Sequence, residues 1–579
     1  MVDTNLQMVE DKEEEFRLRN ARQDADRSLY LLDPFVLKGT DNKPIPKVTN
    51  VTMNEPRIFA EKVMSIINGA TMQAVAKGRQ LSETDKVNVQ NFMDDLLTTI
   101  DNRLIKRGRT MLRPFITEQN CLRGTIVTRN MLMEAGGKFV PDVLQADSRY
   151  ATYEYDANGL AWVNAVTHRN ERMLKSEYPK ATNIPNGKKI KVRDFWDKDI
   201  NEVYADGKKI FDQPNTYGYP PWVVVESSAG PALADEDFFV YRAESIYATV
   251  RGLYPELNRL ASIVQTLSVW SFLGPMQYES ELGEMAAKPE QSPYGEKTVL
   301  PVEKGGGYKP FPINDVKQAT RLFQYLLLSA IQRATFSNME YGTLSMPLSS
   351  VAIAKMMAQR ASIIQSRMAD QSSYYRQTAR MFVDQYIAGG YTAELGEEGE
   401  EREYAPADLD KKFTMLYKFY SISPEQDAAN HSMAASIRPG LLSDDTIRRD
   451  ILHLENPEEE DAKVNAQAAR QSDMAINLFE RGHDLIDLAG EPGAEKYYIE
   501  AEFVLQQLEV ILRQRMSGNP IGFGDGASAP TGTATPTMPV FGGGGGNANV
   551  SGEEDMGSEE QEERSDSRAV TVRRQTAEG

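Results

Sequence analysis

Two long helices and the turn between them are encoded by residues 315–387, which read DVKQATRLFQYLLLSAIQRATF (315–336), SNMEYGTLSMPLSS (337–350) and VAIAKMMAQRASIIQSRMADQSSYYRQTARMFVDQYI (351–387). In the first segment, apolar side chains recur at steps of three and four residues, the spacing that predicts one buried helical face. These side chains are Val316, Leu322, Phe323, Leu326, Leu327, Ala330 and Ile331. The chain is therefore expected to be organised around a helix pair.

The turn at 337–350 is marked by its composition. Gly342 and Pro347, together with four serines, interrupt any helical periodicity. Ser349 or Ser350 can then cap the second helix, and Gly389-Gly390 can end it. We expect a polar loop between two helical rods.

Composition bounds the class of protein. The chain has 579 residues, 41% hydrophobic residues and a formal net charge of −19, with a mean hydropathy of −0.48. These values predict a soluble globular protein of roughly two or three domains. The acidity argues against wrapping DNA tightly, because affinity for phosphate rests on Lys and Arg, but not against DNA sliding past weakly repulsive walls.

The compartment is expected to be the cytoplasm when the protein is made. The single cysteine, Cys121, excludes an internal disulfide and is typical of a reducing environment. No apolar run approaches the ~20 residues that a membrane-spanning helix needs. The first residues are acidic, where a signal peptide would be basic and then apolar.

Helical segments are expected on both sides of a β-rich region. Before that region they lie at roughly 55–70, 82–107 and 109–133, after a charged and solvated helix in residues 1–30. After it, a helix is expected at 243–272, with Pro255 kinking it or marking its true start. Residues 411–516 are expected to be helical again, with helix starts at Ser443 and Pro457.

The β-rich region spans about 136–228. Asn158-Gly159 and Asp206-Gly207 each lie between alternating apolar and polar residues, which predicts two hairpins. The segment PWVVVES (221–227) predicts a buried strand.

No catalytic signature is visible in the chain. GxSxG, HExxH and GxxxxGK[ST] are absent, and the glycines at 305–307 lead into Tyr-Lys-Pro, which cannot begin the helix of a phosphate-binding loop. The histidines His168, His431, His453 and His483 are isolated, without a second ligand at metal spacing. We predict no enzymatic activity, no catalytic residue, no metal site and no cofactor.

The order of these parts resembles the portal (head–tail connector) proteins of tailed bacteriophages over roughly residues 15–516. The resemblance is carried, in chain order, by the arginine-rich helix RLRNARQDADRSLY (17–30), the β-rich insert, the helix ESIYATVRGLYPELNRLASIVQTL (244–267), a Gly/Pro-rich excursion, the two helices and turn quoted above, and LLSDDTIRRDILHLENPEEEDAKVNAQ (441–467). Tyr325 and Leu328 lie outside the main apolar stripe of the first rod, which suits a helix that packs on neighbours in a ring.

The resemblance implies a mainly α fold with a β-rich insert (α+β), divided into wing, stem, clip and crown and assembled into a ring of about twelve subunits. By residue number, the implied regions are a charged N-terminal arm (1–30), a wing (31–242) with its insert (about 136–228), a first stem helix (243–273), a clip (274–312), a second stem helix (313–336), a channel loop (337–350), a wing helix and turn (351–410) and a helical crown (411–516). The Gly-rich acidic tail (517–579) departs from the family's pattern, and its composition predicts disorder.

The resemblance also implies a function and partners. The protein would form the ring at a capsid vertex, the channel for packaging and ejection of double-stranded DNA, and the docking site for the packaging motor and the tail. Its implied partners are further copies of this chain, double-stranded DNA, the terminase large subunit, a head–tail adaptor protein and the major capsid protein, with no membrane. Its implied location is the portal vertex of the virion, and the host cytoplasm during assembly.

Two groups of candidate site residues follow from this assignment. A loop that touches moving DNA should offer hydroxyl, thioether and small groups, here Met339, Tyr341, Thr343, Ser345, Met346 and Ser349. The clip residues expected to dock partners are Lys304, Tyr308 and Lys309. Both groups also have a purely structural interpretation. The loop could be a surface turn between antiparallel helices, and the clip lysines could be solvated or could form salt bridges between subunits.

Two other functions remain open at this point. The chain could be a scaffolding or minor capsid protein, which would assemble into shells or filaments rather than a closed ring. It could also be a packaging-associated enzyme such as a terminase nuclease or ATPase, although the missing phosphate-binding loop opposes an ATPase.

Overall fold

The structure is a computed structural model. It describes residues 4–79, 81–135, 138–231, 241–273, 276–279, 307–310, 317–336, 350–420, 424–437, 441–455, 457–472, 474–489 and 495–516. The chain divides into two compact units, residues 1–473 and 474–579.

The first unit contains most of the helices and all of the described strands. Its helices are α1 (Thr4–Glu15), α2 (Arg17–Leu31), α3 (Glu55–Asn68), α4 (Glu83–Lys106), α5 (Leu112–Glu118), α6 (Glu171–Glu177), α7 (Leu253–Leu273), α8 (Lys317–Ala334), α9 (Ser350–Gly389), α10 (Pro406–Leu409), α11 (Pro424–Ser436), α12 (Asp444–Thr446) and α13 (Pro457–Ser472). Its strands are β1 (Thr71–Lys77), β2 (Thr125–Ala135), β3 (Lys138–Ala146), β4 (Ala151–Asp156), β5 (Gly159–Arg169), β6 (Ile190–Asp197), β7 (Ile200–Ala205), β8 (Lys208–Pro214), β9 (Trp222–Glu226), β10 (Met276–Glu279), β11 (Gly307–Pro310), β12 (Ala393–Leu395), β13 (Arg402–Tyr404) and β14 (Thr414–Tyr420).

The described strands form antiparallel sheets. β4 to β8 follow one another in a five-stranded meander, and the order β3-β2-β9 makes a three-stranded sheet. The two hairpins expected around Asn158-Gly159 and Asp206-Gly207 are confirmed as β4–β5 and β7–β8. Asp206 and Gly207 both have positive φ (45° and 78°), the conformation that a two-residue hairpin turn requires.

Helix starts follow the local capping signals. Ser82 accepts a hydrogen bond from the backbone N–H of Asp85, and the Asp85 carboxylate accepts one from the N–H of Ser82, so α4 begins with a capping box. Pro255 lies in the first turn of α7, which confirms that this proline marks the start of the helix. Ser443 caps α12, but that helix is short and continues as one π-helical turn, Ile447–Ile451.

The 40-residue helix α9 links two hydrophobic cores. Ile364 packs with α3, α7 and the end of α8. Tyr374, Phe382 and Tyr386 pack, further along α9, with α4 and the two-stranded β1–β14 sheet. At a rise of about 1.5 Å per residue the helix is ~60 Å long, so one element spans both cores.

Two stretches expected to be helical are strands. The expected helix at 109–133 stops at Arg123, after α5 and one π-helical turn, and residues 125–135 form β2. Residues 414–420, at the start of the supposed helical region 411–516, form β14, whose partner is β1. In both places the apolar residues are buried by long-range strand pairing, which overrides local helical spacing.

The second unit is described over α14 (Met474–Ala489) and α15 (Glu495–Met516). The two helices pack through Ala475, Leu478 and Leu508. Large apolar side chains nevertheless remain exposed on both helices, among them Phe479, Ile499 and Phe503.

Candidate functional site

The N-terminal half of α8 presents an unusual amount of apolar surface. Tyr325 is 70% exposed, Leu322 60%, Leu326 52% and Phe323 45%. These four large side chains lie within five consecutive residues and cover a broad arc of the helix. Scattered exposed apolar residues are ordinary, but a contiguous patch on a soluble chain marks an interaction surface.

The prediction that the apolar face of this helix is buried is therefore only partly correct. Leu327 and Ile331 are buried, as expected, in the core shared with α3, α7 and α9. Leu322, Phe323 and Leu326 are exposed, because that core reaches only the C-terminal half of α8 in a single chain. Val316 lies outside the described residues. The periodicity correctly located apolar residues, but it could not show what covers them.

The other end of α8 is firmly anchored. The ring of Phe336, just beyond the helix, is fully buried and meets that of Phe59 in α3 edge to face, with centroids 5.6 Å apart. α7 packs against α8 through the same core. The exposed patch is thus carried by a helix whose base is fixed.

A buried arginine cluster, formed by Arg22, Arg251 and Arg367 with Asp26 and Glu244, fixes the segment that leads into α7. Arg251 donates to both carboxylate oxygens of Asp26, at 2.6 and 2.9 Å, and to Glu244 at 2.6 Å. Arg22 donates to the carbonyl of Ala243 at 2.9 Å, and Arg367 to that of Glu244 at 2.6 Å. Elements from α2, α9 and the α7 approach are therefore joined by charge-assisted hydrogen bonds.

Burial determines the electrostatics of the arginine cluster. It disfavours the charged form and lowers the pKa of Arg22 and of Arg367. Burial also acts on Arg251, but its hydrogen bonds to Asp26 and Glu244 outweigh that effect and raise the pKa of Arg251. All three guanidinium groups remain charged at neutral pH, because an arginine pKa lies so far above it.

The backbone at the same place is tightly constrained. Gly124 has φ of +75°, and a Cβ there would lie 2.0 Å from the carbonyl oxygen of Ala243. Ala243 itself has φ of +54°. The backbone N–H of Ile246 donates to the carbonyl of Cys121 at 2.9 Å. A glycine is needed at 124 because two backbone segments pass at contact distance.

The residues predicted for the channel loop and the clip are not tested by this geometry. Met339, Tyr341, Thr343, Ser345, Met346, Ser349 and Lys304 lie outside the described residues. Tyr308 and Lys309 belong to β11, whose backbone pairs with β10 so that Tyr308 is opposite Tyr278 and Lys309 opposite Gln277.

Sequence reasoning missed the arginine cluster by treating residues 1–30 as a solvated arm. Arg19, Arg22, Gln23 and Asp26 of α2 are buried. Their three- and four-residue spacing was the available signal, since it places all four on one helical face. The expectation was wrong because charged residues were assigned to solvent without asking whether partners of opposite charge lay elsewhere.

None of the helices in the described part of the chain is long and apolar enough to span a membrane. Within the same residues, no three His, Cys, Asp or Glu side chains are grouped closely enough to hold a metal ion.

No protein-family model matches this sequence, and no curated protein matches it either. Among solved structures, three similar chains come from the neck of an empty gene transfer agent (GTA) particle computed with C6 symmetry, from the virion of a native GTA particle, and from the neck of a native GTA particle computed with C12 symmetry. Each is 12% identical over 69% of this chain and 89% of the other, with TM-scores of 0.38, 0.38 and 0.37. At these TM-scores the likeness is partial.

Proposed function

We propose that this chain is the subunit of a portal-type head–tail connector, a homo-oligomeric ring at a capsid vertex through which double-stranded DNA is packaged and ejected. The exposed apolar patch on α8 is the observation that carries the proposal. A helix with a buried base and four large apolar side chains open to solvent needs a partner surface, and a ring supplies one from each neighbouring copy.

The order of elements around this patch supports the same reading. Helix α7 leads into the β10–β11 strand pair, and α8 and the long α9 follow. This is the order stem helix, clip, stem helix and wing helix in the proteins that the sequence resembles. We propose that residues 274–312 form the clip, where Lys304, Tyr308 and Lys309 contact the terminase large subunit and later the tail adaptor, and that 337–350 form the channel loop.

Assembly of the purified chain tests the ring. Mass photometry and negative-stain images should show closed rings with a central hole. Replacing Leu322, Tyr325 and Leu326 together by serine should convert the rings to folded monomers, because each interface loses three apolar side chains. Gln324→Ser, an exposed polar change on the same helix, is the matched control. Intact rings from the triple variant, or a wild-type chain that stays monomeric, would count against the proposal.

The channel is tested separately from the ring. Deleting residues 343–348 should leave ring assembly unchanged and reduce DNA packaging or retention in a reconstituted system. Loss of folding would instead mean that the segment belongs to a core. Shells or filaments from the wild-type chain would favour a scaffolding protein.

A further inference from the structure

A cationic groove lies between the C-terminal half of α9 and one end of the β1–β14 ladder. Its volume is about 1380 Å³. Within the described part of the chain, its lining carries five basic side chains, Arg79, Arg376, Arg380, Lys411 and Lys412. Such a concentration of positive charge is notable on a chain whose formal net charge is −19.

The fold builds this groove from three separate segments. β1 and β14 are antiparallel, with Lys77 opposite Thr414, so the residues just after β1 lie beside those just before β14. Gly78 permits this approach, because a Cβ there would lie 2.7 Å from the carbonyl oxygen of Lys412. Arg376 and Arg380 lie one turn apart on α9 and are exposed.

The basic side chains of the groove are mostly available to a partner. Lys411 forms a salt bridge with Asp85 at 2.5 Å. Arg380 is 3.7 Å from Asp384, but its side chain is 85% exposed, and a pair of that kind contributes little.

An acidic turn on the same unit has the complementary charge. It connects β12 to β13, and Glu397, Glu398, Glu400 and Glu401 on it are exposed. The turn is held by defined contacts: Tyr386 bridges the two strands by donating to the carbonyl of Tyr404 at 2.7 Å and accepting from the N–H of Ala393 at 2.8 Å.

The groove and the acidic turn cannot meet within one chain. Asp85, in the first turn of the 24-residue helix α4, contacts Lys411 of the groove. Lys106, the last residue of α4, contacts Glu398 of the turn at 3.1 Å. At about 1.5 Å per residue, these two contacts are ~30 Å apart. On α9, moreover, the groove-lining Arg376 and Arg380 are exposed, whereas Tyr386, which holds the turn, is buried.

We propose that the cationic groove receives the acidic turn of a second copy of this chain, an inference that rests on the proposed ring. A contact between two different surfaces is heterologous, and repeated contacts of this kind close a ring. The groove also contains Asp384 and Asp410. A protein turn can offer backbone N–H groups to these carboxylates, whereas a phosphate backbone has only acceptors and is repelled, so the groove suits a turn better than DNA.

Charge reversal tests this contact. The groove variant is Arg376→Glu with Arg380→Glu, and the turn variant is Glu397→Lys with Glu400→Lys. Arg172→Glu with Lys180→Glu, two exposed positions elsewhere on the same unit, gives the matched control. We expect each test variant alone to need about tenfold more protein for half-assembly, since exposed attractive pairs become repulsive. The control should assemble like the wild type, and all four chains should unfold at the same temperature when measured below the concentration at which the wild type assembles.

Mixing the two test variants gives the decisive result. The acidic groove of the groove variant meets the basic turn of the turn variant, and the basic groove of the turn variant meets the acidic turn of the groove variant. An equimolar mixture should therefore form alternating rings at wild-type concentrations. Variants that assemble normally, or a mixture that fails to recover, would overturn the contact while leaving the ring proposal standing. A wild-type chain that forms no ring would overturn both. Loss of binding to a double-stranded oligonucleotide by fully assembled groove-variant rings would assign the groove to DNA instead.

Discussion

Replacing Asp26 by asparagine should destabilise the chain far more than the same change at Asp24, although both aspartates lie on α2 and both pair with an arginine. Asp26 is fully buried and accepts hydrogen bonds from Arg251 at 2.6 and 2.9 Å and from Ser245 at 2.8 Å. The Asp24 side chain is 50% exposed and accepts from Arg149 at 2.9 and 3.0 Å. The two pairs thus differ mainly in burial.

The expected difference follows from desolvation. The Asp26→Asn change would remove a fully buried carboxylate, so Arg251 would keep only Glu244 as its counter-charge, and an amide N–H₂ group would face donors in a buried site. Removing one partner of a buried pair costs about 3–5 kcal/mol. At Asp24, water replaces the lost interaction and the cost should be below about 1 kcal/mol.

Urea unfolding followed by tryptophan fluorescence, at one fixed protein concentration, measures the free energy of unfolding of the Asp26→Asn and Asp24→Asn variants. Hydrogen exchange at the amide of Ile246, which donates to the carbonyl of Cys121, reports whether the approach to α7 loosens in the Asp26→Asn variant. Equal losses at the two aspartates would show that the arginine cluster does not hold this segment in place.

Three further predictions follow from particular contacts. Gly124→Ala should lower the free energy of unfolding, measured thermally, by more than about 2 kcal/mol, because the new Cβ meets the Ala243 carbonyl. Gly108→Ala, at φ of +67° but in open space, should lower it by about 1 kcal/mol. Equal losses of stability would contradict the steric argument. Tyr386→Phe should cost about 1–3 kcal/mol in urea, because it leaves the Ala393 N–H and the Tyr404 carbonyl without their partner, while Tyr325→Phe on the exposed patch should have no effect. Hydrogen bonds to Lys411 and Ser82 lower the pKa of Asp85 to about 2 from 3.8, so its stabilisation is complete above pH 3.8 and is lost as the pH falls through about 2. Asp85→Asn should therefore unfold more easily than the wild type at pH 6 and equally at the acid end, as measured by urea titration at each pH; a gap that persists below pH 2 would exclude this carboxylate as the cause.

Much of the fold could be predicted because its signals are local. The two tight turns at Asn158-Gly159 and Asp206-Gly207 require positive φ at Gly159, Asp206 and Gly207, and the sequence places glycine or aspartate at these positions. The capped start of α4 at Ser82 and the start of α7 near Pro255 have the same origin. Such signals depend on a few neighbouring residues, so a single sequence carries them.

The misassigned elements depend on partners far away in the chain. β1 pairs with β14, so Thr71 lies opposite Tyr420. β2 is the central strand of its sheet and is flanked by β3 and β9. Its segment TIVTRNMLMEA (125–135) buries Thr125, Thr128 and Asn130 beside apolar residues and lacks a clean alternation, so its pattern is compatible with a buried helix as much as with a strand.

The apolar residues of the exposed patch were predicted as a buried helical face and not as a site. Periodicity identified Leu322, Phe323 and Leu326 as an apolar stripe, and the resemblance placed them in a stem helix. Whether such a stripe meets its own core or another copy depends on tertiary packing, which no local pattern records. The channel-loop and clip assignments remain predictions.

Net charge alone would not predict the assembly that we propose. Asp26 and Glu244 offset part of the charge of Arg22 and Arg251 inside the protein, while Arg22 and Arg367 also donate to backbone carbonyls. In the contact that we propose, a neighbouring copy would meet the exposed charges of the acidic turn and of the cationic groove. A head-to-tail contact brings unlike surfaces together, so local attraction at each interface can exceed the screened repulsion between two acidic subunits. The long helix α9 makes this possible, because it carries Arg376 and Arg380 on one side and supports the acidic turn through Tyr386 on another.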